Sequence, residues 1–317
     1  MKPLRFFLYL LATIIVLFAV ATVGGSYYML GYSLSPNPER ADTAARFAWL
    51  YENYPQTRPW IDSLRSAGAL RDTFAVMPTG ERHHAYIIRH AAQPDSVPGQ
   101  KTAFCIHGWR DQGIGMFMIA RLYERMGYQV VLPDLHAHGL SEGEAIGMGW
   151  HERNDVLHWM TLFKTDTIVV HGISMGAATT MNVSGEPMPE GISSIKFVED
   201  CGYTSVWNEF SDQLKQQFGL PEFPLMYATS RLCQHEWGWS FGEASPLSQV
   251  AKCRYPMLFI HGDNDHFVPS WMVHPLYEAK PEPKQLWITA GTQHAHSYKD
   301  YPEEYARRVR EFVEKCE

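Results

Sequence analysis

The sequence contains no C-x-x-C pair, no H-E-x-x-H and no long run of lysine and arginine. Its five cysteines, Cys105, Cys201, Cys233, Cys253 and Cys316, are odd in number. Neither a closed disulfide framework nor a cysteine zinc site is therefore implied. Cys105 and Cys201 stand in strand-like runs and read as buried apolar fillers. The missing H-E-x-x-H removes the helical signature of zinc hydrolases. Positive charge is also scarce: the formal net charge of −7 excludes a nucleic-acid-binding surface as the main function. Charged residues are only 19% against 45% hydrophobic, which excludes a disordered chain. Internal repeats and low-complexity stretches are absent as well. A chain of 317 residues without them holds one large α/β domain or two small ones.

One long hydrophobic run is present. Phe6 to Val23 carries no charge and is about long enough to cross a bilayer as a helix. Lys2 and Arg5 precede it, and no charge follows until Glu39. The positive-inside rule then leaves the N-terminus in the cytoplasm and exports everything after residue 30. Ala19-Val20-Ala21 would suit cleavage of a signal peptide. The apolar run continues past that point, with Tyr27 and Tyr28 as an interfacial belt, and this favours a retained anchor. The expected division is an anchor or signal segment at 1–30 and a catalytic domain at 31–317.

Beyond the run, 38–66 reads as a helical surface layer with Ala45, Leu50 and Trp60 on its apolar side. Thr73–Met77 and His83–His90 flank Pro78-Thr79-Gly80 and predict an antiparallel hairpin. Strands and helices then alternate. Strands are expected at Thr102–Ile106, Gln129–Leu132, Thr167–Val170, Ile195–Val198, Met257–Ile260 and Gln285–Thr289. Met118, Leu122 and Met126 mark one helix, stopped by Gly127; Val156, Met160 and Phe163 mark another. The last begins at Pro302, with Tyr305, Val309, Phe312 and Cys316 on one face. A hairpin followed by repeated βα units means a mostly parallel, doubly wound α/β sheet with right-handed crossovers. The alternation lapses between Cys201 and Tyr255, where Trp207, Phe210, Phe218, Phe223, Tyr227, Trp237, Trp239 and Phe241 cluster. A small helical cap at 203–250 would bury these rings and form an apolar pocket.

The most informative stretch is His171-Gly172-Ile173-Ser174-Met175-Gly176-Ala177-Ala178. A β-branched strand precedes it and small residues that open a helix follow it. G-x-S-x-G in this context lifts a serine above a sheet edge on a turn so sharp that only glycine fits two positions to either side. A serine hydroxyl needs a histidine to take its proton and a carboxylate to orient that histidine. Ser174, an acid and a histidine do follow in order. His261-Gly262-Asp263-Asn264-Asp265-His266 leaves one strand, and Gly291-Thr292-Gln293-His294-Ala295-His296 leaves the last. Gly291 lets that loop turn inward just before His294. Asp200, after the Ile195 strand, is a second candidate acid. Backbone donors for an oxyanion are expected from the Met175 and Trp109 amides. His107, at the end of the Cys105 strand, is expected to hydrogen-bond and fix that loop. Histidines two apart, such as His136 and His138 or His294 and His296, can share a metal. Neighbouring carboxylates show no ligand spacing, so no metal and no cofactor is expected in the reaction.

The set HGWRDQG, LPDLHAHGLSEG, HGISMG, HGDNDHFVP and GTQHAHS resembles the α/β-hydrolase family in order, spacing and strand context over roughly residues 72–317. GLSEGEAIGMGWHERNDVLHW and VEDCGYTSVWNEF resemble its membrane-anchored bacterial cell-surface branch, which includes esterase-like and serine-peptidase-like members. The resemblance implies that the acid is Asp265, in D-x-x-V-P, and the base His294, the first histidine of H-A-x-S. His136 stands where the family usually has arginine. The expectation is a membrane-tethered serine hydrolase acting on a small-molecule ester or related acyl bond, with Ser174, Asp265 and His294 as its triad. A peptidase or amidase of the same fold, or a tethered binding module without activity, are the alternatives.

Overall fold

The stretch that precedes the serine forms a strand buried along nearly its whole length. In the computed structural model, which describes residues 2–89 and 100–316, this strand is β5 (Thr167–Ile173). The others are β1 (Leu70–Val76), β2 (Arg82–Ile88), β3 (Lys101–Ile106), β4 (Gln129–Pro133), β6 (Ser194–Asp200), β7 (Met257–Gly262) and β8 (Lys284–Thr289). They form one eight-stranded sheet in the order β1-β2-β4-β3-β5-β6-β7-β8. Only β2 runs against the rest, pairing antiparallel with β1 and with β4. The hairpin is as read, although His90, its expected last residue, lies outside the described residues. A residue buried on both faces of a parallel sheet needs no polar alternation, which is why β4 and β5 read as continuous apolar runs.

Register brings the strand ends to one edge. Ile106 lies opposite Gly172, Gly172 opposite Glu199, and Glu199 opposite Phe259. The loops after β3, β5, β6, β7 and β8 therefore leave from the same rim, the usual ligand crevice of an open α/β sheet.

Helices cover both faces. On one side lie α2 (Thr43–Asn53), α3 (Thr57–Ser66), α4 (Phe117–Arg125), α11 (Ser297–Asp300) and α12 (Pro302–Lys315), which share a core with Cys105, Val169, Val198 and Ile260. On the other, α6 (Met175–Ser184) packs on β5 and β6, flanked by α5 (Glu152–Thr161) and α9 (Pro246–Val250), with α10 (Val273–Ala279) beside β7. The 38–66 layer is two helices broken at Pro55. Leu50, Tyr54, Ile61 and Leu64 are buried there, whereas Ala45 is exposed. Gly127 follows α4 in the left-handed region (φ 80°), as a helix stop requires. Phe163 falls beyond the end of α5.

The chain divides into two compact units, and the hydrolase sheet belongs to the second, 36–204 with 245–317. The first joins residues 1–35 to 205–244. It contains α1 (Lys2–Leu34), α7 (Val206–Phe218) and α8 (Leu225–Trp237). Within Pro3–Leu34 an 18-residue window reaches a mean hydropathy of 2.7, and α1 is long and apolar enough to cross a membrane. Its C-terminal turns do something else. Ser26, Leu30 and Leu34 are buried, the Tyr32 hydroxyl donates to Gln217 Oε1 (2.7 Å), and the Tyr32 ring meets Phe218 edge-on at 5.7 Å. The boundary expected at residue 30 thus falls inside a continuous helix, and the compact unit takes α1 as far as Ser35. Trp239 and Phe241 are buried within this unit, Phe241 edge-on to Phe210 at 4.9 Å. Phe223 and Tyr227 are exposed.

A chain of buried polar groups runs through the second unit's core. The Tyr123 hydroxyl donates to His171 Nδ1 (2.9 Å), His171 Nε2 donates to the Tyr305 hydroxyl (2.8 Å), and that hydroxyl donates to Asp200 Oδ2 (3.0 Å). Burial pushes His171 down to about 3, so it is neutral and its two nitrogens play opposite roles. Tyr305→Phe leaves a buried N–H and a carboxyl oxygen short of a partner. We expect it to cost about 1–3 kcal/mol, read as a lower urea midpoint with an unchanged slope.

Candidate active site

Ser174 sits between β5 and α6 with φ 60° and ψ −121°, a backbone conformation that side-chain-bearing residues rarely adopt. Two glycines make the turn possible. A Cβ on Gly172 would lie 2.0 Å from the Gly176 carbonyl oxygen, and one on Gly176 would lie 2.1 Å from that of Ile106. The Ser174 amide donates to the Asp200 carbonyl (2.8 Å) and so ties the turn to β6.

The loops after β7 and β8 bring the partners. His294 Nε2 lies 2.8 Å from Ser174 Oγ, and His294 Nδ1 lies 2.7 Å from Asp265 Oδ2. Asp265 is buried, and its other oxygen accepts from the Phe267 and Val268 amides at 3.0 Å each. Burial alone would raise its pKa. Hydrogen bonds and charge from His261 and His294 outweigh burial and hold the carboxyl at about 2, so it is ionised. With the carboxylate accepting from Nδ1–H, Nε2 is left to accept the serine proton. His261, in β7, had no role in the sequence reading. Its Nε2 lies 3.5 Å from Asp265 Oδ2 and 3.0 Å from the Val268 carbonyl. The only signal for it was its place at a strand end four residues before the acid.

Asp200 is placed differently from Asp265. Its two oxygens accept from Ser297 Oγ (3.2 Å) and the Tyr305 hydroxyl, and burial above all raises it to about 6. It makes no hydrogen bond to His294. His296 occupies the N-cap position of α11 and lines the same cavity, but the hydrogen bond to Ser174 Oγ comes from His294.

The loop after β3 approaches Ser174 closely. A Cβ on Gly108 would sit 3.3 Å from Ser174 Cβ, so the backbone before Trp109 lies against the serine. Met175 opens α6, where first-turn amides have no partner within the helix. Two buried histidines hold the β3 loop. His107 Nδ1 donates to the Gly108 carbonyl (2.8 Å) while its Nε2 accepts from the Leu135 amide (3.0 Å). His138 Nε2 accepts from the Arg110 amide (3.0 Å). Burial pushes both rings down, which keeps each neutral and able to accept.

A cavity of 590 Å³ opens beside Ser174. Its apolar wall includes Trp49, Tyr54, Met116, Met118 and Phe267, and its polar side the Arg46–Asp111 ion pair (2.6 Å). All its lining residues belong to the second unit, with Arg46, Trp49 and Asn53 supplied by α2. Cys201, Asp265 and His294 have ligand-type atoms within 4.8 Å of one another. However, Asp265 and His294 are engaged with each other, and burial pushes the Cys201 thiol up, against thiolate ligation.

Known proteins share this arrangement of elements. The chain is 28% identical over 260 residues to YqkD, an uncharacterized protein of Bacillus subtilis, covering 80% of this chain and 83% of that one. An esterase of Pyrococcus furiosus superposes with a TM-score of 0.60 at 22% identity, over 78% of this chain and 90% of its own. An esterase of Exiguobacterium antarcticum gives 0.53 at 16%, over 76% and 98%. At these identities the structures show the shared fold alone. Residues 103–308, well over half of the chain and including the turn at Ser174 and the loops that carry Asp265 and His294, match the alpha/beta hydrolase family, and the chain belongs to this family.

Proposed function

We propose that the protein is a serine hydrolase that cleaves an ester or related acyl bond. The observation that carries this reading is the unbroken relay from Ser174 Oγ through His294 to Asp265, at 2.8 and 2.7 Å. Ser174 Oγ attacks the substrate carbonyl as His294 Nε2 takes its proton. The Met175 and Trp109 amides receive the oxyanion. The tetrahedral species collapses, the leaving alcohol takes the proton from His294, and an acyl-serine remains. Water, deprotonated by the same histidine, then releases the acid. Asp265 stays ionised throughout and orients the imidazole. The apolar wall of the cavity favours an apolar acyl group. An amide or peptide bond would use the same steps; parallel assays with acyl esters and aminoacyl amides separate the readings.

The first 34 residues support a tether. In this reading α1 spans the membrane, and Lys2 and Arg5 hold its start in the cytoplasm with the hydrolase on the extracytoplasmic side. Mass spectrometry of the mature N-terminus checks this. An intact start is expected, and a chain beginning near Thr22 would mean a cleaved signal peptide instead.

Ser174→Ala should fold normally and lose about 10⁵–10⁶-fold in turnover, with no labelling by a fluorophosphonate probe. His294→Ala should lose activity comparably while His296→Ala retains most of it; the reverse pattern would make His296 the base.

Asp265→Asn should cost about 10⁴-fold in turnover and also alter acid stability. The folded-state value of about 2 lies below that of an unfolded aspartate, so the ionised carboxylate stabilises the fold above about pH 4. That contribution fades as pH falls from about 4 toward 2. Wild type should lose about 2 kcal/mol across this window that the variant does not, measured by urea unfolding at each pH.

A further inference from the structure

A second cluster of chemistry lies on the antiparallel side of the sheet. Successive residues of a strand face opposite ways, so β2 sends His83 and His84 to different faces. His84 is half satisfied, its Nδ1 2.8 Å from Asp134 Oδ2 and its Nε2 without a partner. His83 is unsatisfied. Its side chain is fully buried and neither ring nitrogen makes a hydrogen bond, a costly state for a polar group. What surrounds it is a set of ligand-type atoms. His83 Nε2 lies 3.6 Å from Glu81 Oε2, and His136 Nδ1 lies 3.1 Å from the same oxygen. The two imidazoles are 5.6 Å apart between centroids, and one ligand atom from each of the three residues falls within 4.8 Å of the others. On the far side of His83, Nδ1 lies 3.5 Å from Oδ2 of Asp155, a carboxyl on α5 that is itself 8% exposed.

We infer that Glu81, His83 and His136 form a binding site for a divalent transition metal of the zinc class, separate from the Ser174 site. Three ligands about 2.0–2.2 Å from a tetrahedral ion lie about 3.3 Å apart. The separations of 3.1 and 3.6 Å need only small adjustments to reach that. Two neutral imidazoles and one carboxylate, with a fourth position left for water, is a ligand set that zinc takes. The ion would occupy the lone pair of His83 Nε2, and Nδ1–H would then donate to Asp155, the carboxylate partner that metal-bound histidines usually have. His136 is the pivot of the arrangement. It belongs to the same loop as His138, whose ring accepts from the amide of Arg110, two residues past Gly108. A bound ion would therefore clamp β2 to the segment that holds the β3 loop. An ordinary polar contact between Glu81 and His136 accounts for one of these separations. It leaves His83 unexplained.

The test uses the full-length protein in detergent, stripped with chelator and titrated with Zn²⁺ by calorimetry, with Co²⁺ absorption as a second readout. One ion per chain is expected, with the intense visible bands of four-coordinate cobalt. His136→Ala and Glu81→Gln should abolish or weaken binding at least tenfold, and Asp155→Asn should weaken it about 10–100-fold. His294→Ala should bind as wild type does. Thermal unfolding without metal checks that each variant is folded, and Glu81→Gln serves if His136→Ala is not. Absence of binding in wild type overturns the inference, as does binding that survives both His136→Ala and Glu81→Gln or is lost in His294→Ala.

Discussion

The turn at Ser174 is possible only because backbone meets backbone where side chains would ordinarily intervene. Gly172 lies against the carbonyl of Gly176, and Gly176 against that of Ile106, both at separations that no Cβ survives. The serine between them holds a conformation costing about 1–3 kcal/mol, which the surrounding sheet must supply. It does so through β5, buried along nearly its whole length between β3 and β6, and through α6, all of whose residues are buried. The small residues of α6 allow the helix to lie close enough to close the turn. The geometry at the serine is thus a property of three strands and a helix together.

Histidine chemistry across the molecule follows from burial and partners. His107, His138 and His171 are fully buried, pushed toward neutrality, and each spends one nitrogen donating and one accepting. They work as fixed hydrogen-bonding joints. His261 and His294 instead converge on Asp265, and hydrogen bonding to that carboxylate raises His261 against the effect of its burial. Burial and two fixed hydrogen bonds thus make rigid joints of the first three rings, and convergence on one carboxylate sets His261 and His294 apart.

Much of this was legible in the sequence because the informative residues are local. Ser174, Asp265 and His294 each follow a recognisable strand within a few residues, with a glycine nearby to bend the loop, and the sheet's parallel order makes those strand ends neighbours. Long-range pairing was not legible. Nothing near Trp49 or Tyr54 announces that α2 will wall the cavity at Ser174, since that depends on packing across more than a hundred residues of chain. The aromatic richness of 203–250 was visible, but which of its rings are buried, as Trp239 and Phe241 are, and which exposed, as Phe223 and Tyr227 are, was not. His83 and His84 are adjacent in sequence, yet the alternation of β2 sends them to opposite faces. The hydropathy of 1–30 hid the fact that the last turns of α1 bury Ser26, Leu30 and Leu34.

That last feature has a consequence in time. The unit built from 1–35 and 205–244 is discontinuous, and its two parts leave the ribosome far apart. At about 5–20 residues per second, roughly 10–30 s of synthesis separate the emergence of Leu34 from that of α7 and α8. Throughout that interval the stripe of Ser26, Leu30 and Leu34 has no protein surface to cover it. The unit closes only after β1 to β6 have been made, so its assembly is a late event in the birth of the chain, although its first helix is the first to be synthesised.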